Sequence, residues 1–151
     1  MQQAAALPAD ANAHHTVGGG RSLVLVVDDN ALNREVAVQL LWALGLEAHA
    51  VESGQEAIDY CERHGPAAVL MDLSMPGIDG LEATRRIRTH EKLTAKQRVP
   101  IIAATASFEF ASPRQCAEVG MDGFLPKPLY LPTLRKELAS RVPYMHELVG
   151  R

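Results

Sequence analysis

Short apolar runs alternate along this chain with stretches whose apolar residues recur at helical spacing. Residues 22–27, containing Leu23-Val24-Leu25-Val26-Val27, read as a fully buried strand. Glu47 to Val51 reads as a second, weaker one, and Ala67 to Met71, Pro100 to Ala104 and Gly123 to Pro126 as three more. Between the first two, Leu32, Val36, Leu40 and Leu44 recur one helical turn apart, which predicts a helix over Ala31 to Leu44 with Gly45 as its stop. Ser53 is a natural N-cap for a helix reaching about His64, ended by Gly65-Pro66. Asp79 caps a helix to about His90, and the polar stretch Glu91 to Arg98 reads as irregular or as an extension of it. Ser112-Pro113 opens a fourth helix that Gly120 ends. A fifth runs from about Leu131 to Arg141, with Leu134 and Leu138 facing inward.

Regular strand–helix alternation predicts a parallel sheet covered on both faces. The first, third and fourth strands are apolar runs, as double-sided burial requires, where a half-exposed strand would alternate. Right-handed crossovers restrict the topology. The expected fold is therefore α/β: a flavodoxin-like three-layer sandwich with a five-stranded parallel sheet in the order 2-1-3-4-5 and five helices.

Composition narrows this picture. A length of 151 residues, 47% of them hydrophobic, suits one domain with a sizeable core. The net charge of −3 advertises neither nucleic acid nor an anionic membrane as a partner. No apolar run approaches the ~20 residues of a membrane span, and no secretion signal opens the chain, so a cytoplasmic protein without membrane contact is expected. Cys61 and Cys116 stand far apart and read as packed, reduced thiols. Residues 1–21, rich in Ala and Gly and ending in Gly18-Gly19-Gly20, read as a flexible tail or linker. His14-His15 within them lack further metal ligands nearby. The folded domain is expected over 22–145 and a C-terminal tail over 146–151, with too few residues after Arg141 for an output domain.

The chemistry sits where the strands end. The first run stops at Asp28-Asp29, the third at Asp72, the fourth at Thr105 and the fifth at Lys127-Pro128. Taken singly, each has a plain structural reading: a helix cap for the acids, β propensity for the threonine, a solvated surface group for the lysine. In the order 2-1-3-4-5, however, all of them fall on neighbouring strands at one rim, where ligand sites of open α/β sheets form. Three converging carboxylates repel one another unless a cation neutralises them. All-oxygen ligation favours a hard divalent ion such as Mg²⁺. A carboxylate can also act as a nucleophile and form an aspartyl phosphate, whose equatorial oxygens a lysine and a hydroxyl could hold.

These segments resemble the receiver domain of two-component response regulators over residues from about Ser22 to Arg141. The resemblance rests on Val27-Asp28-Asp29-Asn30, Met71-Asp72-Leu73-Ser74-Met75-Pro76-Gly77-Ile78-Asp79-Gly80, Ala104-Thr105-Ala106, Gly120-Met121-Asp122-Gly123-Phe124 and Lys127-Pro128. It implies that Asp72 accepts a phosphoryl group from a phosphohistidine on a histidine kinase or histidine phosphotransfer protein. It further implies Mg²⁺ held by Asp28, Asp29, Asp72 and the backbone carbonyl of Ser74, phosphate sensing by Thr105 and Lys127, and a cis peptide before Pro128. Phe124 matches an aromatic switch residue that turns inward when Thr105 moves toward the phosphate. The downstream protein is expected on the face formed by the fourth helix, fifth strand and fifth helix. Asp28 through Ala37, followed by Leu40-Leu41 and Leu44-Gly45, is similar to receivers attached to hybrid histidine kinases. Residues Ser107 to Pro113 depart from that subgroup and add Phe108 and Phe110.

Two other readings make different demands. A phosphatase of the haloacid-dehalogenase type also uses an aspartate nucleophile with Mg²⁺, but wants Asp-x-Asp after the first strand, where this chain has Asp28-Asp29-Asn30. A phosphorylation-independent scaffold would have no need of the functional groups retained here. A nucleotide-binding protein would want a Gly-rich loop after the first strand, and none is present.

Overall fold

The computed structural model describes residues 22–106 and 109–142. The expected tails at 1–21 and 146–151, His14-His15, Ser107 and Phe108 lie outside the described residues. Five parallel strands, β1 (Leu23–Val27), β2 (Glu47–Val51), β3 (Ala68–Met71), β4 (Ile101–Thr105) and β5 (Gly123–Pro126), stand in the order β2-β1-β3-β4-β5. Between and after them run α1 (Ala31–Ala43), α2 (Gly54–Arg63), α3 (Gly80–Thr94), α4 (Pro113–Glu118) and α5 (Leu131–Ala139).

Successive strand residues point to opposite faces, and both faces are covered. Leu25, Val27, Val69, Met71, Ile101 and Ala103 pack in one core with Ala57 and Ile58 of α2, Ala83 and Ile87 of α3 and Cys116 of α4. Val24, Val26, Leu70, Ile102 and Leu125 pack in the other with Ala37, Val38 and Leu41 of α1 and Leu134 and Leu138 of α5. This double burial is why the central strands β1, β3 and β4 carry apolar runs, while the edge strands β2 and β5 are partly exposed.

The helices start where short polar side chains can take an orphan backbone N–H. Asn30, Ser53, Asp79 and Ser112 each accept from the amide three residues on. Ser112 and Gln115 complete a reciprocal capping box, with Pro113 in the first turn.

One expectation is corrected and one open alternative is resolved as a helix extension. Only the later part of the Leu32, Val36, Leu40, Leu44 ladder meets the core: Leu44 is buried and Leu40 packs against it, but Leu32 is 67% and Val36 42% exposed, and α1 buries Ala37, Val38 and Leu41. Several apolar stripes fit on this helix, and spacing alone does not choose the one that meets β1. The third helix runs past His90 to Thr94. Glu91 explains the extension. Its carboxylate pairs with Arg88 at 2.9 Å and accepts the Val99 amide at 2.9 Å, both buried. A charge that reads as solvent-facing in sequence is an internal strut.

Candidate functional site

Register builds the site. Val27 of β1 lies opposite Met71 of β3, so Asp28 and Asp72 leave adjacent strands at the same level. The Asp72 amide donates to the Val27 carbonyl at 2.9 Å, which extends the ladder to the acid itself. Met71 aligns with Ala103, and Thr105, two residues further along β4, lies opposite Pro126. Lys127 follows directly, its amide donating to the Thr105 carbonyl at 2.8 Å. The peptide between Lys127 and Pro128 is cis.

Carboxylate oxygens of Asp28, Asp29 and Asp72 all lie within 4.8 Å of one another. Asp28 and Asp72 are buried and Asp29 is exposed. Both oxygens of Asp28 are engaged: Oδ1 accepts the Asn30 amide at 2.9 Å, and Oδ2 is ion-paired with Lys127 Nζ. The same ammonium stands 3.6 Å from Asp72 Oδ1. Thr105 is buried at the floor of the cavity, and Ser74 is exposed at its edge.

Asp72 has an electrostatic problem. Its burial disfavours the charged form; Lys127 favours it; Asp28 and Asp29 oppose it; and the Ser74 backbone N–H favours it by hydrogen bonding. The balance pushes its carboxyl up to about 6. One lysine therefore does not neutralise three acids at this rim. The imbalance, together with hard oxygen donors and an opening to solvent, fits a divalent cation.

The open cavity, about 560 Å³, is lined by Asp28, Asp29, Asp72, Ser74, Thr105 and Lys127, so the residues singled out in the sequence share one space. Asn33, Glu109 and Phe110 also line it and were not foreseen as part of it. A sequence signal existed for Asn33, which lies one helical turn beyond Asp29 and so faces back over the same loop. None existed for Glu109 and Phe110, because the β4–α4 loop has no periodicity to read. Phe124, placed opposite Ala103, is 43% exposed and does not belong to the permanent core.

Gly80 packs directly against the backbone of Asp72. A Cβ built there would run into the Asp72 carbonyl oxygen and lie 2.9 Å from Leu73 Cα. Only a glycine lets the first turn of α3 seat against the backbone of the acid.

A parallel five-stranded sheet with an acid triad, a hydroxyl and a lysine along its carboxyl edge defines an α/β fold with an acidic site at the strand ends. The model of the response regulator receiver domain matches residues 24–139, and the chain belongs to that family. Among curated relatives, probable histidine kinase 6 of Oryza sativa subsp. japonica is 36% identical over an alignment of 121 residues that covers 70% of this chain and 12% of that protein. The chain thus spans a small fraction of that kinase. Among solved structures, the receiver domain of a sensor histidine kinase from Pseudomonas aeruginosa, with a magnesium ion coordinated in its active site cleft, superposes with a TM-score of 0.72 at 35% identity. That match covers 81% of this chain and 98% of the other. The receiver domain of the Saccharomyces cerevisiae response regulator Ssk1, solved with the histidine phosphotransfer signaling protein Ypd1, has a TM-score of 0.72 and 29% identity, covering 81% of this chain and 89% of that one. Among the described residues, no helix is long and apolar enough to cross a membrane.

Proposed function

We propose that this domain, over about residues 22–145, is a phosphoacceptor of a two-component phosphorelay, with Asp72 as the residue that takes the phosphoryl group. The observation that carries the reading is the meeting of Asp28, Asp29 and Asp72 within 4.8 Å, beside an ammonium 3.6 Å from Asp72. The donor is a phosphohistidine of a histidine kinase or histidine phosphotransfer protein. An oxygen of Asp72 attacks phosphorus, the phosphorus–nitrogen bond breaks, and its electron pair stays on the imidazole. An aspartyl phosphate is left on this chain.

Asp29, Asp72 and the Ser74 carbonyl, with Asp28, would hold Mg²⁺, which supplies charge neutralisation for the transferring group. The remaining work belongs to the protein. Lys127 would pair with one phosphoryl oxygen and the Thr105 hydroxyl would donate to another. This is catalysis by positioned charge. The domain turns over no separate substrate; it catalyses only its own phosphorylation and dephosphorylation.

The signal leaves through protein contact. Drawing Thr105 toward the phosphate vacates space beside β4, and Phe124, now exposed, is the ring that fills it. The surface that changes is α4, β5 and α5, the contact face for a downstream protein. The donor must cover the cavity mouth, and exposed Leu32 and Val36 line a neighbouring apolar pocket that shares Asp28, Asn33 and Lys127 with it. A cytoplasmic setting is consistent with this chemistry. The reading is tested by incubating the full chain with acetyl phosphate or a phosphorylated histidine phosphotransfer protein. Base-labile, hydroxylamine-sensitive phosphate should appear on the chain with Mg²⁺ and fail to appear in excess chelator. Steady release of phosphate from a small phosphoester over many turnovers would instead point to a phosphatase.

A further inference from the structure

The loop that carries Asp28 and Asp29 is closed on itself by a residue with no part in the chemistry above. From the first turns of α1, Arg34 reaches back across six residues, and its Nη1 donates to the Asp28 carbonyl oxygen at 2.9 Å. Its own amide donates to the Asn30 carbonyl at 3.1 Å. The Asn30 amide donates to Asp28 Oδ1 at 2.9 Å, and the Asn30 side chain accepts the Asn33 amide at 2.9 Å. These four bonds run from Asp28 through Asn30 and Asn33 to Arg34 and back to Asp28. Asp29 sits inside the ring, its carboxylate facing the other acids.

Asp28 is thus gripped at both ends. Lys127 holds its carboxylate from the β5 side. Arg34 holds its backbone from the α1 side. The two grips differ in purpose. Lys127 can turn to an incoming phosphoryl oxygen. Arg34 is bonded to main chain, so it holds the loop whatever occupies the cavity. Mutual repulsion among Asp28, Asp29 and Asp72 tends to spread this loop. A ligand loop that is already ordered spends none of its binding free energy on ordering. A guanidinium suits the task better than an ammonium because its planar fork fixes direction as well as charge.

We infer that Arg34 is a positioning residue for the divalent-cation site, locking the β1–α1 loop in its binding geometry. The inference rests on the reading that the three acids hold Mg²⁺. A merely structural role makes a different prediction: it would lower stability by the same amount with and without the cation, and leave affinity alone.

The test is a Mg²⁺ titration of the full chain without phosphodonor, followed by NMR shifts or calorimetry. Arg34→Ala is expected to weaken Mg²⁺ binding about tenfold, at the low end for partners that orient metal ligands. Arg34→Lys, which keeps the charge and one donor, should recover part of that loss. The Mg²⁺ concentration for half-maximal labelling of Asp72 should rise by the same factor, with full labelling restored at saturating Mg²⁺. Should Arg34→Ala not fold, Arg34→Gln, neutral and too short to span the loop, takes its place with the same expectation. Parent-like Mg²⁺ affinity in the variant that folds would overturn the inference. Failure of the parent chain itself to bind Mg²⁺ would overturn the cation reading beneath it.

Discussion

Lys127 forms an ion pair with Asp28 across the carboxyl ends of β5 and β1, two strands with β3 and β4 between them. The same ammonium reaches to 3.6 Å from Asp72, so one lysine spans the acid cluster. Removing it should separate cation binding from switching. In Lys127→Ala, Mg²⁺ binding is expected to persist, while phosphorylation no longer moves the resonances of Phe124 and the β4–α4 loop. Without cation, the variant leaves a buried, unpaired Asp28, and urea denaturation should show a loss of about 3 kcal/mol. Normal phosphorylation-induced shifts in this variant would remove Lys127 from the switch.

Asp72 gives a pH signature with a defined sign. Its ordinary value is 3.8, and burial pushes it up to about 6 in the fold. A raised folded value favours the protonated form, so this group's stability contribution is fully present below the unfolded value. It is lost as pH rises through about 6. In chelator, Asp72→Asn should therefore be more stable than the parent at pH 7. Each pH unit between the unfolded and folded values is worth ~1.4 kcal/mol. Solvent reaching the open cavity screens part of it, which leaves a difference of about 1–2 kcal/mol. The difference should vanish near pH 4. Thermal melts of the two proteins across this range measure it, and a parent more stable than the variant at neutral pH without cation would contradict it.

At the opposite end of the sheet, three arginines converge on one turn. Arg88 Nε and Arg98 donate to the Gly120 carbonyl at 2.9 and 3.1 Å, and Arg141 donates to that of Asp122 at 2.7 Å. The Asp122 carboxylate takes Arg88, Arg98 and the Ile101 amide. Burial alone would push Asp122 up, but the bonds from Arg98 and Ile101 and the charges of Arg88 and Arg98 hold it below the usual carboxylate range. Glu91→Ala removes the inner partner of Arg88, whose side chain is only 9% exposed, and should cost about 3 kcal/mol in urea denaturation. Glu91→Gln, which can still accept the Val99 amide, should cost less. Asp122→Asn should destabilise at neutral pH, and the deficit should shrink as pH falls through the depressed folded value.

Much of this was legible beforehand, for physical reasons that differ by element. The central strands, buried on both faces, carry the clearest signal, and the partly exposed edge strands β2 and β5 still have the residues expected. The acid, hydroxyl and lysine positions were legible because each directly follows an apolar run, and topology does the rest. What could not be read depended on partners distant in sequence. Leu32 and Val36 have helical spacing but no sheet to face. Glu91 is buried only because Arg88 and the Val99 amide meet it. Arg34 offers nothing in sequence to show that it folds back on Asp28.

Gly80 offers a test of how the acceptor is held. In Gly80→Ala the new methyl meets the Asp72 carbonyl and the Leu73 backbone, neither of which is a flexible side-chain end. The β3–α3 junction must shift. The expected result is a stability loss of about 1–3 kcal/mol, as for an overpacked site, with labelling of Asp72 slowed at saturating Mg²⁺. Parent-like stability and labelling would show that the junction yields freely.

The most direct test asks which residue carries the phosphate. The chain is labelled with a phosphohistidine donor and Mg²⁺, and the modified residue is located by mass spectrometry after reductive trapping of the acyl phosphate. The modification should map to Asp72 and be abolished in Asp72→Asn, with Asp28 and Asp29 unmodified. Undiminished label in Asp72→Asn, or label that maps to another side chain, would contradict the account.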